Sequence, residues 1–216
     1  MLSEKFVQHK ALKFLKRRYQ LRARSRIAAK KEVWTKKKYG NKRADGLLIF
    51  KHILWGRYVV SMEAKSQKTL SAIKPVKIKG SRHRHSIKAG LGLVLITGSL
   101  LTIYKLNDGF WQFLIPISLF WVGYLVYHQL AQNSSRHQKA AVFKQLAQYP
   151  ANEQWIAVSK DALKALPHKK QKALLSICRR QGIGMVVVNT LGFAYAKIRP
   201  RKKKYFRKYL KYYKIV

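Results

Sequence analysis

Two long apolar stretches separated by a few residues limit what this chain can fold into more than any other feature of its sequence. They cover residues 89–106 and 110–130, and the short turn sequence 105–109 joins them. Each stretch approaches the roughly 20 apolar residues that a helix needs to cross the hydrocarbon core of a bilayer. The sequence therefore predicts a transmembrane helical hairpin. A helical hairpin buried in a globular core is the alternative.

The charges around these stretches predict an orientation. The flanking basic residues are Arg82, Arg84 and Lys88 on one side and Arg136 and Lys139 on the other, whereas Lys105 in the turn is offset by Asp108. Because cytoplasmic flanks carry the excess of Lys and Arg, both termini are expected in the cytoplasm and the turn outside. The expected location is therefore a multi-pass position in a membrane, with the bacterial inner membrane as the setting.

The charge balance of the whole chain predicts a polyanionic partner. The 216 residues include 47 Lys and Arg against 7 Asp and Glu, a formal net charge of +40. Nucleic acid and anionic lipid headgroups both attract such a surface, and composition does not separate them. Disorder is excluded because 48% of the residues are hydrophobic, which is enough to build a core.

The single Cys178 excludes an intrachain disulfide and is expected to be buried.

The segments on either side of the hairpin predict one α/β domain with a mixed sheet flanked by helices. Residues 1–88 form its N-terminal part, 89–130 the hairpin, 131–198 its C-terminal part and 199–216 a basic aromatic tail. Apolar periodicity and turn residues predict a helix at 4–21 capped by Ser3, an antiparallel meander at 26–35, 43–50 and 58–66, helices at 137–149 and 168–181, and strands at 154–159 and 184–189.

Acidic residues are so rare that the position of each is informative. Asp45 falls in the second predicted strand, and Glu63 with Lys65 in the third. Pairing of these strands brings the two carboxylates together, and Lys65 shares a face with Glu63 because strand side chains alternate. Two carboxylates suit Mg²⁺ or Mn²⁺, and a lysine beside them suits phosphodiester hydrolysis. The alternative is that Asp45 ends a turn while Glu63 and Lys65 form a solvated pair.

The segments RADGLLIF and YVVSMEAKS resemble the PD-(D/E)XK nuclease superfamily, which has the restriction endonuclease-like fold and includes Mrr-type enzymes and Holliday junction resolvases. The resemblance implies a helix, a three-stranded meander, and then helix, strand, helix and strand. It also implies that Asp45 and Glu63 are metal ligands, Lys65 is the catalytic lysine, Glu4 is an accessory acid and Gln67 is an accessory polar residue. Ala44 replaces the usual proline, and a membrane hairpin inside the fold departs from the pattern.

Three functions follow as hypotheses. The resemblance, together with the predicted hairpin, implies a membrane-anchored, Mg²⁺-dependent nuclease that acts on DNA at the cytoplasmic face of the membrane. The alternatives are a non-catalytic module that tethers nucleic acid, and a structural subunit of a membrane complex that uses its basic surface.

The tail at 199–216 combines cations with aromatic rings beyond the last predicted core strand. Contact with nucleic acid and contact with lipid both fit this mixture. The residues expected to make the contact are Arg199, Arg201, Lys202, Lys203, Lys204, Tyr205, Arg207 and Lys208.

Overall fold

The computed structural model describes residues 2–37, 41–54, 56–78, 80–103, 109–131, 137–201 and 209–214. The chain divides into two compact units. The first comprises Met1–Pro75 and Ala140–Val216, and the second comprises Val76–Lys139. The second unit contains both apolar stretches, so the segments that precede and follow it in sequence fold together.

The helices and strands have the following bounds. The strands are β1 (Ala28–Trp34), β2 (Arg43–His52), β3 (Gly56–Lys65), β4 (Val76–Lys77), β5 (Gln138–Lys139), β6 (Glu153–Ser159), β7 (Gly184–Val188) and β8 (Ala194–Ile198). The helices are α1 (Glu4–Gln20), α2 (Leu70–Ile73), α3 (Ser81–Ile103), α4 (Gly109–Leu130), α5 (Ala141–Ala147), α6 (Lys160–Lys164) and α7 (His168–Gln181), and there are 3₁₀ turns at Gln67–Thr69 and Tyr209–Tyr212.

A mixed six-stranded sheet forms the centre of the first unit, in the order β1-β2-β3-β6-β7-β8. The first three strands are an antiparallel meander, β6 runs parallel to both β3 and β7, and β8 is antiparallel to β7. Every residue of β6 and β7 is buried, as expected for central parallel strands that are covered on both faces. The fold is therefore α/β, with helices flanking a mixed sheet.

Helix α1 covers one face of this sheet. The side chain of Ser3 caps it by accepting a hydrogen bond from the backbone N–H of Phe6 at 3.2 Å. Side chains at four-residue intervals point inward and pack against the sheet, namely Val7, Ala11, Leu15 and Tyr19. This capped apolar stripe confirms the first predicted helix.

Helices α5 and α7 cover the opposite face. Alternate residues of β6 face the two sides, because Trp155 packs in the cluster with α1 whereas Ile156 packs in the cluster with α5 and α7. The predicted burial of Cys178 on α7 is confirmed, and burial raises the pKa of its thiol to about 12. Such a thiol is a packing residue, since the nucleophilic form is the thiolate.

The C-terminal 3₁₀ turn and Tyr213, which follows it, are part of the core. Tyr209 and Tyr213 are buried against Val33 and Leu47, and the hydroxyl of Tyr213 donates a hydrogen bond to the carbonyl of Pro150 at 3.0 Å. The two tyrosines therefore stabilise the first unit, although the sequence places them beyond the last predicted core strand.

In the described part of the chain, no helix is both long enough and apolar enough to cross a membrane. The predicted transmembrane hairpin at 89–106 and 110–130 is therefore wrong, and so is the predicted multi-pass location in a bacterial inner membrane with both termini cytoplasmic. Helix α3 begins at Ser81, and its first two turns contain Arg82, Arg84 and Lys88. Its described apolar part, from residue 89 to Ile103, spans about 22 Å at 1.5 Å per residue, less than the roughly 30 Å of a hydrocarbon core.

Helix α4 carries Pro116 in its interior and His128 in its last turn. Of the turn predicted at 105–109, residues 105–108 lie outside the described residues.

Helices α3 and α4 pack closely at two glycines. A Cβ atom on Gly90 would lie 2.7 Å from the ring of Phe120, and one on Gly123 would lie 2.5 Å from Cδ1 of Leu93. Gly90 and Gly123 thus allow α3 and α4 to approach closely. The second unit is completed by the two-stranded sheet of β4 and β5, which pairs Val76 with Lys139.

Candidate functional site

The strands β2 and β3 separate at one end of the sheet, and this separation creates the candidate site. Their ladder runs from the pair His52 and Gly56 to the pair Gly46 and Met62, whereas β2 continues to pair with β1 as far as Arg43. Beyond Gly46, Oδ2 of Asp45 accepts a hydrogen bond from the backbone N–H of Ala64 at 2.8 Å. A carboxylate thus replaces the strand partner of β3 at this point.

Three acidic residues gather around one lysine in the gap. Nζ of Lys65 lies 2.8 Å from Oε1 of Glu63 and 3.4 Å from Oε1 of Glu4. The side chains of Lys65 and Glu63 are 7% and 4% exposed, and that of Glu4 is 34% exposed. Asp45 lies near enough to influence the ionisation of both buried groups. The structure therefore brings together four of the residues named from the sequence, in a chain that contains only 7 acidic residues.

The 3₁₀ turn after β3 fixes the position of Glu4. The Thr69 hydroxyl donates a hydrogen bond to Oε2 of Glu4 at 3.1 Å, and it accepts one from the backbone N–H of Ser66 at 3.0 Å. Gln67 is partly buried at the start of this turn. Thr69 thus contacts the acidic cluster and was not named from the sequence, whereas the accessory role of Gln67 stays a prediction.

Burial governs the ionisation of the cluster. It raises the pKa of Glu63 to about 7, and the nearby Asp45 carboxylate adds to this effect. Burial also raises the pKa of Asp45, although the hydrogen bond from Ala64 opposes the rise. For Lys65, burial lowers the pKa, but Glu63, Glu4 and Asp45 together outweigh burial and the net direction is upward. Lys65 therefore stays positively charged while Glu63 titrates near neutral pH.

One oxygen of this cluster has a property that points to a ligand. Among the described residues, Oε2 of Glu63 is buried without a hydrogen-bond partner. A buried carboxylate oxygen left without a donor costs free energy comparable to a lost hydrogen bond, and more if it is charged. A cation beside this atom would remove that cost.

Two further residues hold the backbone of the Asp45 strand and were not identified from the sequence. The side-chain amide of Gln8 donates a hydrogen bond to the backbone carbonyl of Asp45, and the hydroxyl of Tyr149 donates one to the carbonyl of Arg43 at 2.6 Å. Burial raises the pKa of Tyr149 to about 12, and Glu63 and Asp45 contribute to the rise. Both contacts join residues far apart in sequence, so no local sequence pattern predicts them.

Two other acids have separate roles. Glu153 is buried at the start of β6 and accepts hydrogen bonds from the hydroxyls of Tyr19 and Tyr58, the latter at 2.9 Å. Glu32 pairs with Arg43 at 3.8 Å. Glu153 therefore stabilises the core, and Glu32 forms an ion pair with Arg43.

The basic tail is described only in part. Arg199 and Arg201 are exposed, whereas the remaining predicted contact residues, Lys202, Lys203, Lys204, Tyr205, Arg207 and Lys208, lie outside the described residues.

Histidines that are scattered in the sequence meet in the second unit. His85 and His137 have ring centroids 5.3 Å apart, Nδ1 of His137 lies 3.0 Å from Oγ of Ser81, and His83 contacts Tyr124. Within the described ranges, no group of three or more His, Cys, Asp or Glu side chains is arranged to hold a metal ion by itself. The contacts of these histidines lie within the second unit.

Comparison of the chain with models of protein families, with curated proteins and with solved structures finds no match.

Proposed function

We propose that this protein is a metal-dependent nuclease that hydrolyses phosphodiester bonds of DNA at Asp45, Glu63 and Lys65. The observation that carries the proposal is the convergence of Glu4, Asp45 and Glu63 on Lys65 where β2 and β3 separate, with one buried oxygen of Glu63 unpartnered. The succession of helix, antiparallel meander and parallel strands also agrees with the PD-(D/E)XK pattern that the sequence resembles.

The donor set fits Mg²⁺ or Mn²⁺. Asp45 and Glu63 would hold the ion, and the unpartnered Oε2 of Glu63 offers it a buried anionic oxygen. Proteins usually bind Mg²⁺ through one or two carboxylates while water and substrate phosphate complete the shell, so two acids suffice. When bound, the ion polarises the phosphate and lowers the pKa of a bound water.

The side chains around the ion site have separate tasks. Lys65 keeps its positive charge because Glu63 and Glu4 lie beside it, so it stabilises the negative charge that develops on the phosphate during hydrolysis. Glu4 and Thr69 position the lysine. A cation next to Glu63 favours its ionised form, which couples ion binding to the loss of a proton.

The charge distribution of the chain supports a polyanionic substrate. A net charge of +40 attracts DNA through release of its counterions. The acidic cluster is an exception on this basic protein, because its carboxylates repel phosphate until a cation neutralises them. Binding is therefore expected without metal, whereas cleavage is expected only with it.

The test uses the full chain on single-stranded, duplex and branched DNA, with Mg²⁺, with Mn²⁺ and with a chelator. Asp45→Asn and Glu63→Gln should weaken binding of the metal, whereas Lys65→Met should keep the metal and lower the turnover. Each should reduce cleavage by about 10²-fold or more, as loss of a preorganised charge typically does. DNA binding should survive in all three variants.

Asp161→Asn is the control, because it removes one negative charge from the first turn of α6 and leaves the cluster intact. If the unaltered chain binds DNA but cleaves none of the substrates with either metal, the nuclease proposal is wrong. A non-catalytic module that tethers nucleic acid would then account for the basic surface.

A further inference from the structure

A groove along β1 combines an exposed aromatic ring with basic side chains. Trp34 is 44% exposed there. The residues that line the groove are Lys30, Lys31, Glu32, Val33, Trp34, Asn41 and Lys214. An indole face beside several lysines is the combination that stacks on an unpaired base while binding the phosphates on either side of it.

The C-terminal segment builds one wall of the groove. The backbone N–H of Lys214 donates a hydrogen bond to the carbonyl of Trp34 at 2.8 Å, and its Nζ lies 3.2 Å from Oδ1 of Asn41. The preceding Tyr213 is 2% exposed and holds this segment in the core. Lys214 is therefore held beside Trp34 by the fold.

The acid in the groove, Glu32, is paired with Arg43 at 3.8 Å, which offsets part of its repulsion of an anionic ligand. Glu32 has a φ of 51°, in the left-handed region that a residue other than glycine rarely adopts. Glu32 lies directly opposite Asp45, between the pairs Lys31–Gly46 and Val33–Ala44, and the β1–β2 register is the same on either side of it. The backbone irregularity thus lies at the catalytic end of β2.

The same register places the groove next to the candidate site. Trp34 pairs with Arg43, which lies two residues from Asp45 on β2. Strand spacing and rise put the Cα atoms of Trp34 and Asp45 roughly 8 Å apart. A base on Trp34 would therefore belong to a nucleotide next to the phosphate at the carboxylates, or to one close by.

Aromatic residues of the tail at 199–216 were the stacking candidates from the sequence. Tyr209 and Tyr213 are instead buried in the core, and Tyr205 lies outside the described residues. Trp34 is an aromatic residue that combines exposure with neighbouring lysines near the acidic cluster.

We propose that the β1 groove binds an unpaired segment of the nucleic-acid substrate, with a base stacked on Trp34 and flanking phosphates on Lys31 and Lys214. This inference rests on the proposed nuclease function and narrows its substrate class to nucleic acid with unpaired bases beside the scissile phosphate. Duplex DNA lacks a free base for the indole, so it gains only the electrostatic part of the interaction.

The test measures binding of a fluorescein-labelled oligothymidylate of about 15 nucleotides and of a duplex of equal length. A chelator is present, so that cleavage cannot interfere. Trp34→Ala should weaken binding of the single strand by about tenfold or more and that of the duplex by less than about twofold. For the single strand, the logarithm of the binding constant falls linearly with the logarithm of the salt concentration. Substituting both Lys31 and Lys214 by Gln should reduce the magnitude of this slope by about 1.4.

The matched controls lie on β8, at the other end of the sheet. Tyr195→Ala removes an aromatic ring that is 46% exposed on an edge strand, and Lys197→Gln removes an exposed lysine from the same strand. Both should leave the preference for the single strand unchanged. Trp34→Phe should retain most of the affinity, because it keeps a stacking ring.

The proposal is overturned if Trp34→Ala binds the single strand as tightly as Tyr195→Ala does. It is also overturned if Trp34→Ala reduces the affinity for the single strand and for the duplex by the same factor. If Trp34→Ala weakens single-strand binding but the unaltered chain shows no metal-dependent cleavage, the proposed nuclease function is wrong and the proposed binding groove stands. If cleavage occurs, Trp34→Ala should raise KM with little change in kcat. A kcat loss with unchanged KM would contradict a binding role.

Discussion

The ionisation of Glu63 makes the stability of the fold depend on pH in a way that one substitution isolates. Burial raises its pKa from 4.5 to about 7, and the side chain is 4% exposed. The folded state thus holds a proton that the unfolded state releases. This contribution to stability is full below about pH 4.5, falls as the pH rises toward 7, and is lost above that value. The difference in pKa corresponds to about 3 kcal/mol, at 1.36 kcal/mol per pKa unit.

Glu63→Gln removes this dependence, because an amide of similar shape does not titrate. Urea unfolding between about pH 4 and pH 8 should show the wild type losing about 3 kcal/mol more than the variant across the range. Urea is preferred to guanidinium because a salt would screen the charges. The comparison uses the change with pH, since the variant also loses the ion pair with Lys65 and its absolute stability shifts for that reason.

Mg²⁺ supplies the second half of this experiment. An ion that binds only the folded state at a hundred times its Kd adds about 2.7 kcal/mol, and it should do so increasingly above pH 7, where Glu63 is ionised. The variant should lack most of this gain. Equal pH profiles for wild type and variant would refute the assignment of the neutral titration to Glu63. Equal stabilisation by Mg²⁺ would place the ion elsewhere.

Three further predictions concern the core. Gly184→Ala should destabilise the fold by about 1–3 kcal/mol in urea unfolding, because its Cβ would lie 2.5 Å from the ring of Trp155. Gly98→Ala is the control and should be neutral or stabilising, because its Cβ would have no atom within 4 Å. Tyr58→Phe removes a donor to buried Glu153 and should cost about 1.5–3 kcal/mol while DNA cleavage per folded molecule is unchanged. Tyr213→Ala should cost about 3–5 kcal/mol, and a loss under about 1 kcal/mol would show that this buried ring contributes little to the core.

Local pattern was enough to predict most elements of the first unit. The cap at Ser3 and the four-residue spacing defined α1, and α7 has the predicted bounds of residues 168–181. Strand β8 was missed because its half-exposed residues follow closely on β7 and lack a continuous apolar run. Hydropathy also misplaced the start of α3, since the polar first turns at Ser81 belong to the same helix as the apolar residues.

The candidate site was predictable only where sequence periodicity determines it. The two-residue alternation of β3 places Glu63 and Lys65 on one face, and strand pairing brings Asp45 near them. Thr69 and Tyr149 could not be found in this way. Thr69 contacts Glu4 across 65 positions, and Tyr149 contacts Arg43 across 106. Such contacts depend on how helices and loops pack on the sheet, which neither propensity nor periodicity records.

The pairing of β4 with β5 brings the two ends of the second unit together, so this unit could be removed or replaced by another domain. Val76 and Lys139 are partners in an antiparallel ladder, so the second unit begins and ends at two points about 5 Å apart. A short Gly-containing loop between Pro75 and Ala140 can bridge such a gap, as hairpin loops of two to five residues do. Excision of the second unit would thus preserve chain continuity, and a foreign domain with adjacent termini could be grafted in its place.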